Sequence, residues 1–219
     1  PVPPAGAPVS SALAGPEQVF RFRLDRTVEN FGVVVTSRAT GVRVEPRVVV
    51  AGNENRLTGY PALPLNLNPY LVGYGNPTPV AGAVRPARGV YDIVFDSRTR
   101  AGAGRFSFRF WVNDVTPPSA RLLTTRVRRG TPIRVRVGDS GSGVDPASVV
   151  VRAGDSTLQA RVARGELLIE TAALPAGTKR LRVQVSDYQE TRNMENTLLI
   201  LPNTRVLVAR VTILPRAGG

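Results

Sequence analysis

Residues 105–112, Arg105-Phe106-Ser107-Phe108-Arg109-Phe110-Trp111-Val112, alternate a polar side chain with an aromatic ring three times over. A repeat of two residues is the repeat of a β-strand, so Phe106, Phe108 and Phe110 face a core while Arg105, Ser107 and Arg109 face water. The same alternation runs through residues 20–25, with Phe20, Phe22 and Leu24 on one side and Arg21, Arg23 and Asp25 on the other. Further strands are expected over Val33 to Thr36, Arg43 to Val50 and Gly89 to Asp96. Almost no ten-residue window combines a 3.6-residue period with freedom from Pro and Gly, so helices are not expected. Trp111, the single tryptophan, has the opposite parity from the three phenylalanines and is expected to pack at a domain junction.

Outward from this strand, Asn113-Asp114-Val115-Thr116-Pro117-Pro118 breaks the pattern, because two consecutive prolines cannot occupy a sheet interior. A domain boundary is therefore expected after Asp114. Beyond it, short apolar segments recur with turn signals between them: Ala120 to Arg126, Pro132 to Gly138, Ser148 to Ala153, Thr157 to Ala163, Glu166 to Thr171, Lys179 to Ser186 and Thr204 to Ile213. Seven such strands are the count of an immunoglobulin-like sandwich. Within them Ile133, Val135 and Val137 alternate with Arg134 and Arg136, and Leu181, Val183 and Val185 with Arg182 and Gln184. The expected fold is all-β with two tandem β-sandwiches. Residues 1–16 form a Pro/Ala-rich linker, 17–114 a jelly-roll-like sandwich, 115–214 the immunoglobulin-like one, and 215–219 a tail. In a seven-stranded sandwich lettered A to G, the B–C loop (residues 139–147) and the F–G loop (residues 187–203) share one end.

Composition removes most catalytic chemistry. The chain has no His and no Cys, which excludes Ser-His-Asp and Cys-His nucleophile pairs, His- or Cys-ligated metals and disulfides. Its formal net charge is +13, and apart from Lys179 every one of its 29 basic residues is arginine. Dense positive charge attracts phosphates. These arginines, however, are scattered, with no basic run and no interleaved aromatic to stack bases, so specific nucleic-acid binding is not expected. They read as the solvated faces of strands. The longest uncharged stretch, Leu57 to Val84, contains five prolines and cannot be a spanning helix. The chain starts at Pro1 without a leader, which reads as a fragment or a processed product of something longer.

Asp139-Ser140-Gly141-Ser142-Gly143-Val144-Asp145 is the most metal-like stretch, since a Gly-rich turn can aim carboxylate, hydroxyl and carbonyl oxygens at calcium. With the adjacent F–G loop it nominates Asp139, Asp145 and Asp187 as calcium ligands. The EF-hand spacing fails, because Gly141 and Gly143 occupy its third and fifth positions. The competing explanation is a plain turn in which the glycines supply positive φ, the aspartates bond their own backbone, and Arg121 and Arg192 balance the charge. Tyr60, Tyr70 and Tyr74, set among prolines, could form a platform for a sugar or peptide. Asp92, Asp96, Glu166 and Glu170 are the carboxylates a glycosidase would draw on, but each has the sidedness of a solvated strand face. No phosphate loop precedes Lys179.

The stretch GYPALPLNLNPYLVGYGNPTPVAGAV, then GVYDIVFDSRTRAGAGRFSFRFWVND and VTPPSARLL, resembles the C-terminal region of large secreted bacterial subtilisin-like serine proteases. In the second half TPP, IRVRVGDSGSGVDP, LPAG and LRVQVSD resemble bacterial immunoglobulin-like or fibronectin type III-like modules. The resemblance implies a non-catalytic accessory region of an exported, secreted or cell-surface protein. Its partners would be an upstream catalytic domain and a protein or polysaccharide at the cell surface. The Asp, His-Gly and Gly-Thr-Ser motifs of subtilase catalysis are absent, so no catalytic residue carries over. The alternative is an adhesion or polysaccharide-binding module with no protease parent.

Overall fold

The computed structural model describes residues 6, 8–12, 17–52, 80–97, 100–189 and 203–216. The chain divides into two compact units. The first runs through Thr116 and takes in Ser140–Ser142, Tyr188 and Gln189; the second begins at Pro117.

Seven strands build the first unit among the described residues: β1 (Pro8–Ala12), β2 (Glu17–Leu24), β3 (Asn30–Arg38), β4 (Glu45–Val50), β5 (Val80–Val84), β6 (Gly89–Asp96) and β7 (Arg105–Val112). They form one sheet in the order β1-β7-β3-β5 and another in the order β2-β6-β4. Successive strands alternate between the sheets. β1 pairs with β7, β2 with β6 and β3 with β5, all antiparallel. The first half of the unit therefore pairs back along the second half, as in a long hairpin rolled into two layers, which is the jelly-roll arrangement.

Phe22, Phe31, Tyr91, Phe95, Phe106, Phe108 and Phe110 are buried together between the layers, with Phe95 and Phe108 centroids 4.6 Å apart and Phe22 and Phe110 4.9 Å. Each such ring contributes about 1.5–3 kcal/mol of burial, and the tilted and edge-on pairs add roughly 0.5–1.5 kcal/mol. Residues 1–16 differ from the linker expected of them, because Pro8–Ala12 form an edge strand on β7. Composition hides this: Val9 packs on the core, and the strand is held mainly by backbone hydrogen bonds to a partner about a hundred residues later.

The second unit contains β8 (Ser119–Leu122), β9 (Arg126–Arg128), β10 (Ile133–Gly138), β11 (Val150–Ala153), β12 (Ser156–Leu158), β13 (Ala160–Ala163), β14 (Glu166–Ile169), β15 (Gly177–Ser186) and β16 (Thr204–Leu214). One sheet has the order β13-β14-β10-β8 and the other β12-β11-β15-β16-β9. Lettered from β8 as A, these are the D-E-B-A and C′-C-F-G-A′ sheets of an immunoglobulin-type sandwich. Two of the seven expected segments divide between the sheets. Ala120 to Arg126 becomes β8, which pairs with β10, and β9, which lies parallel to β16; Thr157 to Ala163 becomes β12 and β13. Alternation shows which side chains face inward, but not which sheet the backbone pairs with. Ile133, Val135, Leu167, Ile169, Leu181, Val185 and Val211 are fully buried between the sheets.

Candidate functional site

The B–C and F–G loops of the second unit meet as their lettering requires. Val144 forms an isolated bridge with Asp187, and the Asp145 N–H donates to the Ser186 carbonyl at 3.0 Å. Ser148 Oγ donates to the same carbonyl at 2.9 Å. These bonds fix Asp145 and Asp187.

Asp139 Oδ2 accepts from the Gly143 N–H at 2.7 Å, closing a turn in which Gly143 takes φ of 91°, a left-handed conformation that favours glycine. Asp145 is buried and its Oδ1 accepts from the Ala147 N–H at 2.8 Å, capping the single 3-10 turn Pro146–Ser148. Asp187 is wholly buried, and its Oδ2 accepts from Asn203 Nδ2 at 2.8 Å. Asp139 and Asp187 each place a carboxylate oxygen within 4.8 Å of the other, whereas Asp145 is outside that group. Two carboxylates at this range favour ionisation only where donors or a cation offset their repulsion. They are the residues of this unit that could hold a hard cation through oxygen. Asp145 is committed to its cap.

Gly141 serves a purpose other than the positive φ expected of it. In the first unit the Asp114 carboxylate lies where a side chain would begin, so that a Cβ on Gly141 would stand 2.2 Å from Asp114 Cγ. Asp114 Oδ2 accepts from the Ser142 N–H at 2.6 Å, while the Asp114 backbone exchanges hydrogen bonds of 2.7 and 2.8 Å with the Asn30 side chain. Trp111 completes this buried group. Its ring lies against Gly32, with Val34 and Tyr188 beside it, and its Nε1 donates to Gln189 Oε1 at 2.7 Å. Sequence reasoning did not find Gln189 or Gly32. The odd parity of Trp111 and the glycine within β3 were the available signals.

The glycosidase carboxylates are dispersed. Asp92 is buried completely, which differs from the solvated position expected of it, and it takes two bonds from Arg21, at 2.9 and 2.8 Å. Period two places Asp92 on the outer face of its sheet, where Val49 and Val94 are also fully buried, so this face is not open to water. Asp96 accepts from Arg47 at 2.8 Å, and Glu166 from Arg134 at 2.7 and 2.9 Å. Tyr60, Tyr70 and Tyr74 lie outside the described residues, as does Arg192.

The first unit also carries an open trough of 530 Å³ beside β1, β3 and β7, lined by Ser10, Ser37, Arg38, Arg105 and Ser107 among others. Ser10, Ser107 and Ser37 stand opposite one another across the three strands. Burial lowers the Arg38 pKa, and the nearby Glu45 charge works against that shift.

No family model matches the chain, and no curated protein does. Among solved structures the chain is similar to the adhesin domain of Epf from Streptococcus pyogenes, at 13% identity over 96% of this chain and 79% of that one, with a TM-score of 0.32. It is also similar to the lipase BlEst2 of Bacillus licheniformis in its propeptide form, at 10% identity over 97% of this chain and 42% of that one, with a TM-score of 0.28. A third is a DUF4785 family protein from Legionella pneumophila, at 8% identity over 94% and 64% of the two chains and a TM-score of 0.27. Superpositions this loose carry neither a family nor a function, and the two sandwiches rest on the chain's own strand pairing.

Proposed function

We propose that this chain is a non-catalytic accessory region of an exported bacterial protein, acting through contact and not through a reaction. The parent that the sequence resemblance suggests is a subtilisin-like serine protease, whose catalytic domain these sandwiches would extend, stabilise or position. One observation carries the reading. The buried carboxylates Asp92, Asp114, Asp145 and Asp187 each accept hydrogen bonds from structural partners, in a chain that has no His or Cys to work beside them. Hydrolysis of casein and of model glycosides by the purified chain tests it. No turnover above buffer is expected, and activity that co-purifies with the chain would overturn it. The parent is tested separately by the precursor sequence, where an Asp, His and Ser set with subtilase spacing is expected upstream of Pro1; a precursor without one would remove the protease.

A second reading is a surface-binding module that holds a polysaccharide outside the cell. It is favoured by the uneven placement of arginine on the second sandwich.

A further inference from the structure

The two outer faces of the second sandwich differ in charge. On the β13-β14-β10-β8 face four outward arginines, Arg121, Arg134, Arg136 and Arg161, share one acid, Glu166, which Arg134 and Arg136 reach at 2.7 and 3.8 Å. On the β12-β11-β15-β16-β9 face the outward positions carry Arg126, Arg128, Arg152, Arg180, Arg182 and Arg210, and no outward strand position there is acidic. All six are exposed, and none of them forms an ion pair among the described residues. Asp155, in the β11–β12 turn, does not pair with them either.

Register concentrates this charge further. Arg152 stands directly opposite Arg182 on the neighbouring strand, and Arg180 directly opposite Arg210. Like charges placed opposite across a ladder destabilise it. With β9 laid beside β16, the six guanidinium groups form a band that crosses the sheet from β11 to β9. Neighbours along a strand are about 6.7 Å apart and neighbours across strands about 4.8 Å.

We propose that this band binds a linear acidic polysaccharide, a polymer carrying a carboxylate or sulfate on successive sugars. The proposal deepens the surface-binding reading and does not depend on the protease parent. A flat, repeating row of forked donors matches a polymer of repeating oxyanions, each able to accept two bonds from one guanidinium. Among the described residues this face has no aromatic ring on which a base could stack, which disfavours single-stranded nucleic acid. Its exposed apolar residues, Val150, Val206 and Val208, are short and offer no Trp, Phe or Leu wedge for a lipid surface.

The test uses the intact chain and three probes: polygalacturonate, a double-stranded DNA fragment, and vesicles of mixed neutral and anionic phospholipid. Two double variants remove the same charge from opposite faces. Arg180→Gln with Arg182→Gln changes the band; Arg121→Gln with Arg161→Gln changes the other sheet. Thermal unfolding of both should stay near that of the parent chain, since all four side chains are exposed. The expected result is polygalacturonate binding that the first variant weakens by about tenfold or more and the second leaves nearly unchanged. Equal weakening by both would show that only net charge matters and would overturn the band. DNA or vesicles held by the same face more tightly than polygalacturonate would overturn the polysaccharide. A hydrolase activity in the chain would defeat the non-catalytic reading and leave this comparison intact.

Discussion

At the scale of single residues, the close approaches decide what can be changed. Gly141 has no room for a Cβ because the Asp114 carboxylate occupies that space. Gly141→Ala should destabilise by about 1–3 kcal/mol, the usual cost of overpacking. Thermal unfolding would read this as a drop of roughly 2–12 °C for a chain of this length. Trp111→Phe removes the donor to Gln189 and leaves a buried amide oxygen short of a partner, a loss of about 1–3 kcal/mol. Trp111→Phe with Gln189→Leu should recover part of that loss, and thermal melts of the single and double variants check it. Tyr91 titrates above the ordinary tyrosine value of 10.0 because burial disfavours its phenolate, and its hydroxyl donates to the Ala87 carbonyl at 2.6 Å. A raised folded pKa contributes stability that is complete below the unfolded pKa and is lost as pH rises through the folded one. Stability should therefore fall above about pH 10. Tyr91→Phe should flatten that fall in melts recorded against pH.

At the scale of strands and loops, the side-chain alternation was plain in the sequence and the backbone pairing was not. Phe22, Leu24, Phe106, Phe108 and Phe110 are buried where period two puts them, as are Ile133, Val135 and Val137. Edge strand β1 was hidden because its stability comes from the far end of the unit. The divisions of β8 from β9 and of β12 from β13 were hidden because a strand that changes sheets keeps the same alternation. The aspartate loop was legible as a loop, but its roles were not. Asp145 caps a turn locally, a bond that could be foreseen from Asp145-Pro146-Ala147, whereas the approach of Asp139 to Asp187 depends on folding. A divalent cation would relieve the repulsion between those two acids. Millimolar calcium should accordingly raise the melting temperature, chelation should reverse the rise, and Asp139→Asn should abolish the response. At a hundredfold excess over Kd, ligand linkage amounts to about 2.7 kcal/mol. Melts that do not move with calcium would leave the loop as a hydrogen-bonded turn.

At the scale of the whole molecule, the arginine excess changes meaning once the strands are paired. Along the chain the basic residues alternate with apolar ones and look evenly spread, as solvated strand faces do. Pairing sorts them: one face of the second sandwich sets two of its four outward arginines on Glu166, and the other gathers six with no acid on its strands. That asymmetry is a property of register, and no local window of sequence contains it. It gives the +13 charge a place to act in a chain that has no His and no Cys. The most direct measurement is the salt dependence of polygalacturonate binding by the intact chain and by Arg180→Gln/Arg182→Gln. Each arginine that releases a counterion contributes about 0.7 to the log–log slope for a single-stranded polyanion. The expected result is binding that weakens steeply with salt, with a slope shallower by about 1.4 in the variant, which lacks two arginines. An unchanged slope would mean that these two arginines do not touch the polymer and would contradict the contact-based account.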